Sequence, residues 1–371
     1  MSERLQFRIF AHSWLSDWNH GNAHFLRGLA RELIASGHEV RCYEEEGGWS
    51  LSNLRREEED RGGSAIEQFR RLFPQIEPQF YKNDAGFRDF AARELRGADI
   101  VLVHEWTAVD VANTILSLKR ELGFRALFHD THHRAYTAAA DILKINLGQF
   151  DGVLAFGDAI RRIYKDGFGV PRVWTFHEAA DTANFFPKQR EKNIDLIWVG
   201  NWGDDERTAE LQEFLIGPAG RLKGRKVVHG VRYPDEARQK LSEAGIEYRG
   251  YLPNLQAPDA YAESCVALHI PRRQYTNGLS GIPTIRVFEA MACGIPLLCS
   301  PWADTEGLFR PQEDYMCVPD GRAMLAEIRH LTRDDGARRQ LAERGLETIR
   351  ARHTCAHRAA QLVEICQELG R

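Results

Sequence analysis

Short, continuously apolar β-type runs alternate with helical stretches along nearly the whole chain, and this alternation limits what it can fold into. A first set of runs lies at residues 7–12, 39–43, 100–104, 126–129, 152–156 and 173–177. Strands that face water on one side alternate apolar and polar residues. Uninterrupted apolar runs belong to strands covered on both faces, which means parallel sheets sandwiched by helices. After the polar Lys188-Gln189-Arg190-Glu191-Lys192-Asn193 stretch the pattern restarts at 196–199, 226–231, 247–251, 266–270 and 297–300, with a further edge at 316–318. At 371 residues the chain is too long for one ordinary core of roughly 100 to 200 residues. The reading is α/β, with two facing doubly wound Rossmann-like domains at 1–187 and 188–353. Such an arrangement places a cleft at the carboxyl ends of both sheets, where ligands of these sheets bind. A last helix at 354–369 carries its apolar face on Ala359, Leu362, Val363, Ile365, Cys366 and Leu369.

Composition narrows the function classes. The formal charge is −4 and charges of both signs are mixed, so there is no basic footprint for nucleic acid. The seven cysteines are odd in number, form no Cys-x-x-Cys pair and lie mostly in apolar segments, which fits reduced thiols. The first residues show no signal-peptide apolar region. No apolar run approaches the roughly 20 residues that span a bilayer, so a cytoplasmic enzyme is expected.

The stretch from Asn277 to Phe309 is the richest in chemistry. A Gly/Pro-rich loop enters a helix at about 283–293, Gly294 closes it, and a buried strand follows at 296–300. Pro283 sits in the first turn, where a missing N–H costs nothing. The free donors and positive dipole end at Pro283, Thr284 and Ile285 suit a diphosphate. Glu289, two turns inside, is placed to take ribose hydroxyls. The alternative is a core helix between two strands.

Spelled out as Arg286-Val287-Phe288-Glu289-Ala290-Met291-Ala292-Cys293-Gly294-Ile295-Pro296, the segment resembles the donor-nucleotide motif of GT-B glycosyltransferases, in particular the CgeB-like (spore-maturation-type) group. The ending His353-Thr354-Cys355-Ala356-His357-Arg358 resembles that group too. The resemblance implies transfer of a sugar from a nucleotide-diphosphate sugar, with UDP the favoured nucleotide, to a hydroxyl-bearing acceptor: a glycan, a small molecule or a protein. It implies no permanently bound cofactor, no metal, and a last helix that crosses back to the N-terminal domain rather than simply capping the second one. Its donor loop falls on Gly200, Asn201 and Arg207, where Arg207 either binds phosphate or pairs with the acids just before it. Tyr251 stacks on the nucleobase or belongs to the core. One of Arg272 and Arg273 faces the diphosphate, and Arg273 is assigned here. In the large retaining GT-B family two glutamates stand seven residues apart. Glu289 matches the second, but the first falls on Gly281, so neither the sugar nor the stereochemical outcome carries over. That position either admits a different sugar or is filled from 277–280.

In the N-terminal half, Gly21 and Asn22 open a helix after the first strand and resemble the GT-B loop that approaches donor phosphate or acceptor. The absence of Gly-x-Gly-x-x-Gly argues against a nicotinamide dehydrogenase. Val103-His104-Glu105-Trp106 and His129-Asp130-Thr131-His132-His133 follow two strands. Imidazoles there suit proton transfer or sugar hydroxyls. His129 is the expected first-contact histidine, Asp130 the acceptor-activating base if transfer inverts, and Glu105 a further proton-transfer group. His129, Asp130, His132 and His133 could instead be metal ligands, although their spacing matches no known closed site. Glu178 and Asp181 either line the cleft or cap turns. Trp14, Trp18 and Trp106 either stack on a substrate or anchor loops. Besides a glycosyltransferase, the pattern admits a nucleotide-sugar epimerase on the same scaffold, or a non-catalytic sugar-nucleotide or glycan-binding protein.

Overall fold

The computed structural model describes residues 4–61 and 64–370. The chain divides into two compact units: one runs to Glu178 and resumes at Cys355, and the other spans Ala179–Thr354.

Unit 1 contains a parallel sheet of β1 (Gln6–Phe10), β2 (Glu39–Glu45), β3 (Gln79–Tyr81), β4 (Ile100–His104), β5 (Arg125–Asp130), β6 (Gly152–Ala155) and β7 (Val173–Thr175). Its order is β3-β2-β1-β4-β5-β6-β7. Phe7, Phe10, Val101, Val103, Leu127 and Phe128 are fully enclosed, as the continuous apolar runs require. The edge strand β3 was not expected from sequence. Two of its three residues, Gln79 and Phe80, are exposed, so it carries no apolar run to betray it.

Unit 2 contains β8 (Ile194–Val199), β9 (Lys226–His229), β10 (Glu247–Tyr248), β11 (Ser264–His269), β12 (Leu297–Cys299) and β13 (Met316–Cys317), in the order β10-β9-β8-β11-β12-β13. Leu196, Trp198, Val228, Val266, Leu268 and Leu298 supply its core with Leu211, Phe214 and Met324 from flanking helices.

Both sheets reverse their strand order once, between β1 and β4 in unit 1 and between β8 and β11 in unit 2. The carboxyl ends of those strand pairs are where doubly wound sheets bind ligands.

The division falls earlier than the polar 188–193 stretch suggested. That stretch is a fastened surface connection within unit 2: Lys188 and Arg190 pair with Asp259 at 2.9 and 3.4 Å, and Lys192 donates to the Ser264 carbonyl at 2.7 Å. The last helix, Cys355–Glu368, packs on the Ala23–Ala35 helix of unit 1. Arg358 Nε donates to the His177 carbonyl at 2.9 Å, and Gln361 Nε2 to the Thr175 carbonyl at 3.0 Å. Among the described residues no helix is long and apolar enough to cross a membrane.

Candidate active site

In unit 2, Arg207 lies across the strand-order reversal. One guanidinium nitrogen donates to the Asn201 carbonyl, just after β8, at 2.6 Å, and another to the Ile270 carbonyl, just after β11, at 3.2 Å. The indole of Trp198 lies 5.2 Å from the guanidinium carbon, and Gly203 leaves it room: a Cβ there would stand 3.0 Å from Arg207 Nε. Burial, and next the neighbouring Arg272, lower Arg207 to about 10, so it remains a cation at neutral pH. No carboxylate lies within ion-pair distance of Arg207 among the described residues. Of the acids before it, Glu206 pairs with Arg272 and accepts from Gln274 Nε2 at 2.9 Å.

Arg273 is corrected by this arrangement. Its Nε and a terminal nitrogen are clamped on Glu210 at 3.0 and 3.2 Å on the solvent side, whereas Arg272 is the arginine whose charge Arg207 feels. At Gly200 the space a side chain would take is filled by the Trp198 ring, 2.5 Å from an ideal Cβ. Asn201 accepts from the Val231 backbone N–H at 2.9 Å, which fixes the loop. Tyr251 is buried.

The motif helix runs Ile285–Ala292 with Thr284 as an extended N-cap that makes no side-chain capping bond. Pro283 therefore precedes the cap instead of sitting in the first turn. Glu289 is fully enclosed; it accepts from Asn254 Nδ2 at 2.5 Å and pairs with Arg286 one turn earlier. Arg286 also acts on the charge of Arg207. Asn254 escaped the sequence reading because its partner is 35 positions away and only the fold joins them. Gly281 has φ +92°, and a Cβ there would lie 2.2 Å from Thr305 Oγ1 and 3.3 Å from Glu306 Cγ. The room above it is taken by the loop after β12, not by 277–280.

In unit 1 the loop after β1 is pinned from two sides. Glu44 accepts the N–H groups of Trp14 and Leu15 at 2.7 and 3.0 Å, and Arg27 donates to the Trp14 and Leu15 carbonyls at 2.8 and 3.0 Å. The loop thereby brings His12 and His20 against β4: their rings lie 3.8 Å apart, with His104 5.7 Å from His12. His104 Nδ1 accepts from the Trp106 N–H at 3.4 Å, so its Nε2 donates to Thr131 Oγ1 at 3.0 Å. Asn22, the N-cap after Gly21, spends its amide on Thr131 instead of on the helix.

His129 is enclosed by Phe25, Phe176 and His104, and neither ring nitrogen has a hydrogen-bond partner among the described residues. Burial lowers it to about 3, so it is neutral. Asp130 and Glu105 form a buried carboxyl pair. Burial raises both, and the neighbouring Asp130 raises Glu105 further. Tyr164 donates to Asp130 Oδ2 at 2.6 Å and the His132 N–H to Oδ1 at 2.9 Å. Asp130 is thus a fully engaged carboxylate beneath the 131–134 loop rather than an open base. Asp181 is a turn residue, accepting from Asn184 Nδ2 at 2.8 Å. No group of three or more His, Cys, Asp and Glu among the described residues could hold a metal ion.

Two families match the sequence and between them span both units: "Glycosyltransferase Family 4" over residues 20–184 and "Glycosyl transferase-like" over 207–364. The chain belongs to the GT-B glycosyltransferases. No curated protein matches its sequence. This glycosyltransferase shares its fold with a glycosyltransferase from Rickettsia africae (11% identity, 99% of each chain, TM-score 0.67) and with sucrose-phosphate synthase from Thermosynechococcus elongatus (15%, 99% of each, 0.69). It also shares it with Anabaena HepE, solved with UDP and glucose (11%, 98% of this chain and all of that one, 0.70). The epimerase and non-catalytic readings find no support among these relatives.

Proposed function

We propose that this glycosyltransferase takes its donor as a nucleoside-diphosphate sugar, with UDP as the nucleotide, and binds the diphosphate in unit 2. The observation that carries the reading is Arg207, a buried cation with no carboxylate in ion-pair reach among the described residues, fixed across the strand-order reversal beside Arg272 and the uncapped entry to the Ile285–Ala292 helix. Preorganised cations and backbone N–H groups stabilise charge that develops on a leaving diphosphate, and in a water-poor site this is the dominant kind of catalysis. Glu289, fixed on the motif helix between Asn254 and Arg286, takes the ribose hydroxyls. Unit 1 takes the hydroxyl-bearing acceptor. Within the GT-B enzymes, the resemblance of the Arg286–Pro296 motif and of the 353–358 ending supports a CgeB-like reading.

Calorimetric titration with UDP tests the donor side. Hydrogen bonds to a charged carboxylate contribute about 1.5 to 3 kcal/mol, so Glu289→Gln is expected to weaken UDP binding by about ten- to a hundredfold. His129→Ala, in the other unit, is expected to leave UDP affinity nearly unchanged and to lower turnover. Unaltered UDP binding by Glu289→Gln together with its loss in His129→Ala would place the donor in unit 1 and overturn the reading.

A further inference from the structure

We infer that Trp106 is the stacking platform for a carbohydrate acceptor, whose hydroxyls are read by the neutral imidazoles beside it. This rests on unit 1 being the acceptor side. Trp106 directly follows the β4-end residues His104 and Glu105, at the strand-order reversal of the sheet. It is 43% exposed, whereas Trp14 and Trp18 are buried as loop anchors. Its ring offers an apolar face with a polar tip at the ligand edge of the sheet.

Polar neighbours hold the ring rigid. The Arg134 guanidinium lies 4.4 Å from the ring centre and donates to the Glu105 carbonyl at 3.0 Å. The backbone of Trp106 is tied to His104 Nδ1, and the rings of His132 and His12 stand tilted to the indole at 5.3 and 6.2 Å. A platform fixed in this way loses little entropy on binding.

The chemistry around the ring selects the ligand class. His12 Nδ1 and His20 Nε2 have no hydrogen-bond partner among the described residues, and only 5% of His20 is exposed. A neutral imidazole carries one donor and one acceptor, as a hydroxyl does. Burial holds His12 at about 4 and His20 and His104 well below their usual range, so the shelf is uncharged. A pyranose has an apolar C–H face for the indole and a rim of hydroxyls for the imidazoles. An acidic or phosphorylated acceptor would want cations, and the cation at this ring, Arg134, is already committed. A planar aromatic acceptor would leave the imidazoles unpaired, and a lipid would need a wider apolar surface.

The test is an array carrying neutral oligosaccharides, simple aryl alcohols and serine peptides, probed with the full chain, Trp106→Phe and Trp106→Ala. UDP affinity is measured by calorimetry on the same three proteins. The wild-type protein is expected to bind oligosaccharides. Trp106→Ala should lose at least tenfold in that binding, Trp106→Phe should keep most of it, and UDP affinity should be the same in all three. Failure of the wild type to bind any saccharide, or equal saccharide binding by Trp106→Ala, would overturn the inference. Loss of UDP binding in the wild type would instead count against the donor assignment, because saccharide capture is read separately.

Discussion

Arg207→Ala is expected to abolish UDP binding at any concentration below about a hundred times the wild-type Kd, since losing two charge-assisted contacts to phosphate removes about 3 kcal/mol or more. The same change leaves the Asn201 and Ile270 carbonyls without the donor that joins them, at a stability cost of about 1 to 3 kcal/mol. Arg207→Lys separates the two effects. It keeps the charge but cannot reach two carbonyls with a planar fork, so part of the affinity should return without the stability. Calorimetry with UDP and urea denaturation of the three proteins measure both quantities. An Arg207→Ala protein that binds UDP normally would show that this cation has only a structural role.

The second large effect is a loss of stability in mild acid. Burial lowers His12 to about 4 and His129 to about 3, and holds His20 and His104 well below 6.5. Between those values and pH 6.5 each histidine binds a proton in the unfolded chain but not in the native one. Their contribution to stability is complete above pH 6.5 and is lost as the pH falls through that window. Glu105 and Asp130 act in the opposite sense, because their raised values let the native state keep protons that the unfolded chain releases. Four histidines against two carboxyls leave the unfolded chain with the excess of bound protons in this window, so stability falls with the pH. In unit 2 His269, lowered to about 3, adds to the same trend. Urea denaturation at pH 7 and 5.5 should show the loss, and His129→Gln should flatten the slope by about one proton. A protein equally stable at both values would mean that the cluster is hydrated and titrates normally.

Burial patterning made the architecture legible from sequence. Strands covered on both faces must be continuously apolar, so the central strands announced themselves, whereas the edge strand β3, whose Gln79 and Phe80 face water, did not. The division between units was less legible. A polar run such as 188–193 looks the same whether it links domains or lies pinned on one surface, and the ion pairs to Asp259 decide that. At the candidate site, residue types were readable and partnerships were not. Glu289 stood out as the acid in a helix, but its bond to Asn254 depends on that helix meeting a turn 35 positions away. Arg272 and Arg273 are adjacent and chemically identical, and only the positions of Glu206 and Glu210 separate the inward one from the outward one. Asp130 looked like an open base because Tyr164, 34 residues away, gave no local sign of reaching it.

In the proposed function the donor nucleotide binds the strand ends of unit 2. Amide hydrogen exchange of the full chain with and without saturating UDP tests it most directly, because exchange reports where the backbone is held without requiring an acceptor. UDP is expected to slow exchange in the loops at 200–207 and 270–275 and across the helix entry at 283–289, while the 12–22 and 104–134 segments of unit 1 change little. Protection confined to 12–22 and 104–134, with the unit 2 loops unaffected, would contradict the account.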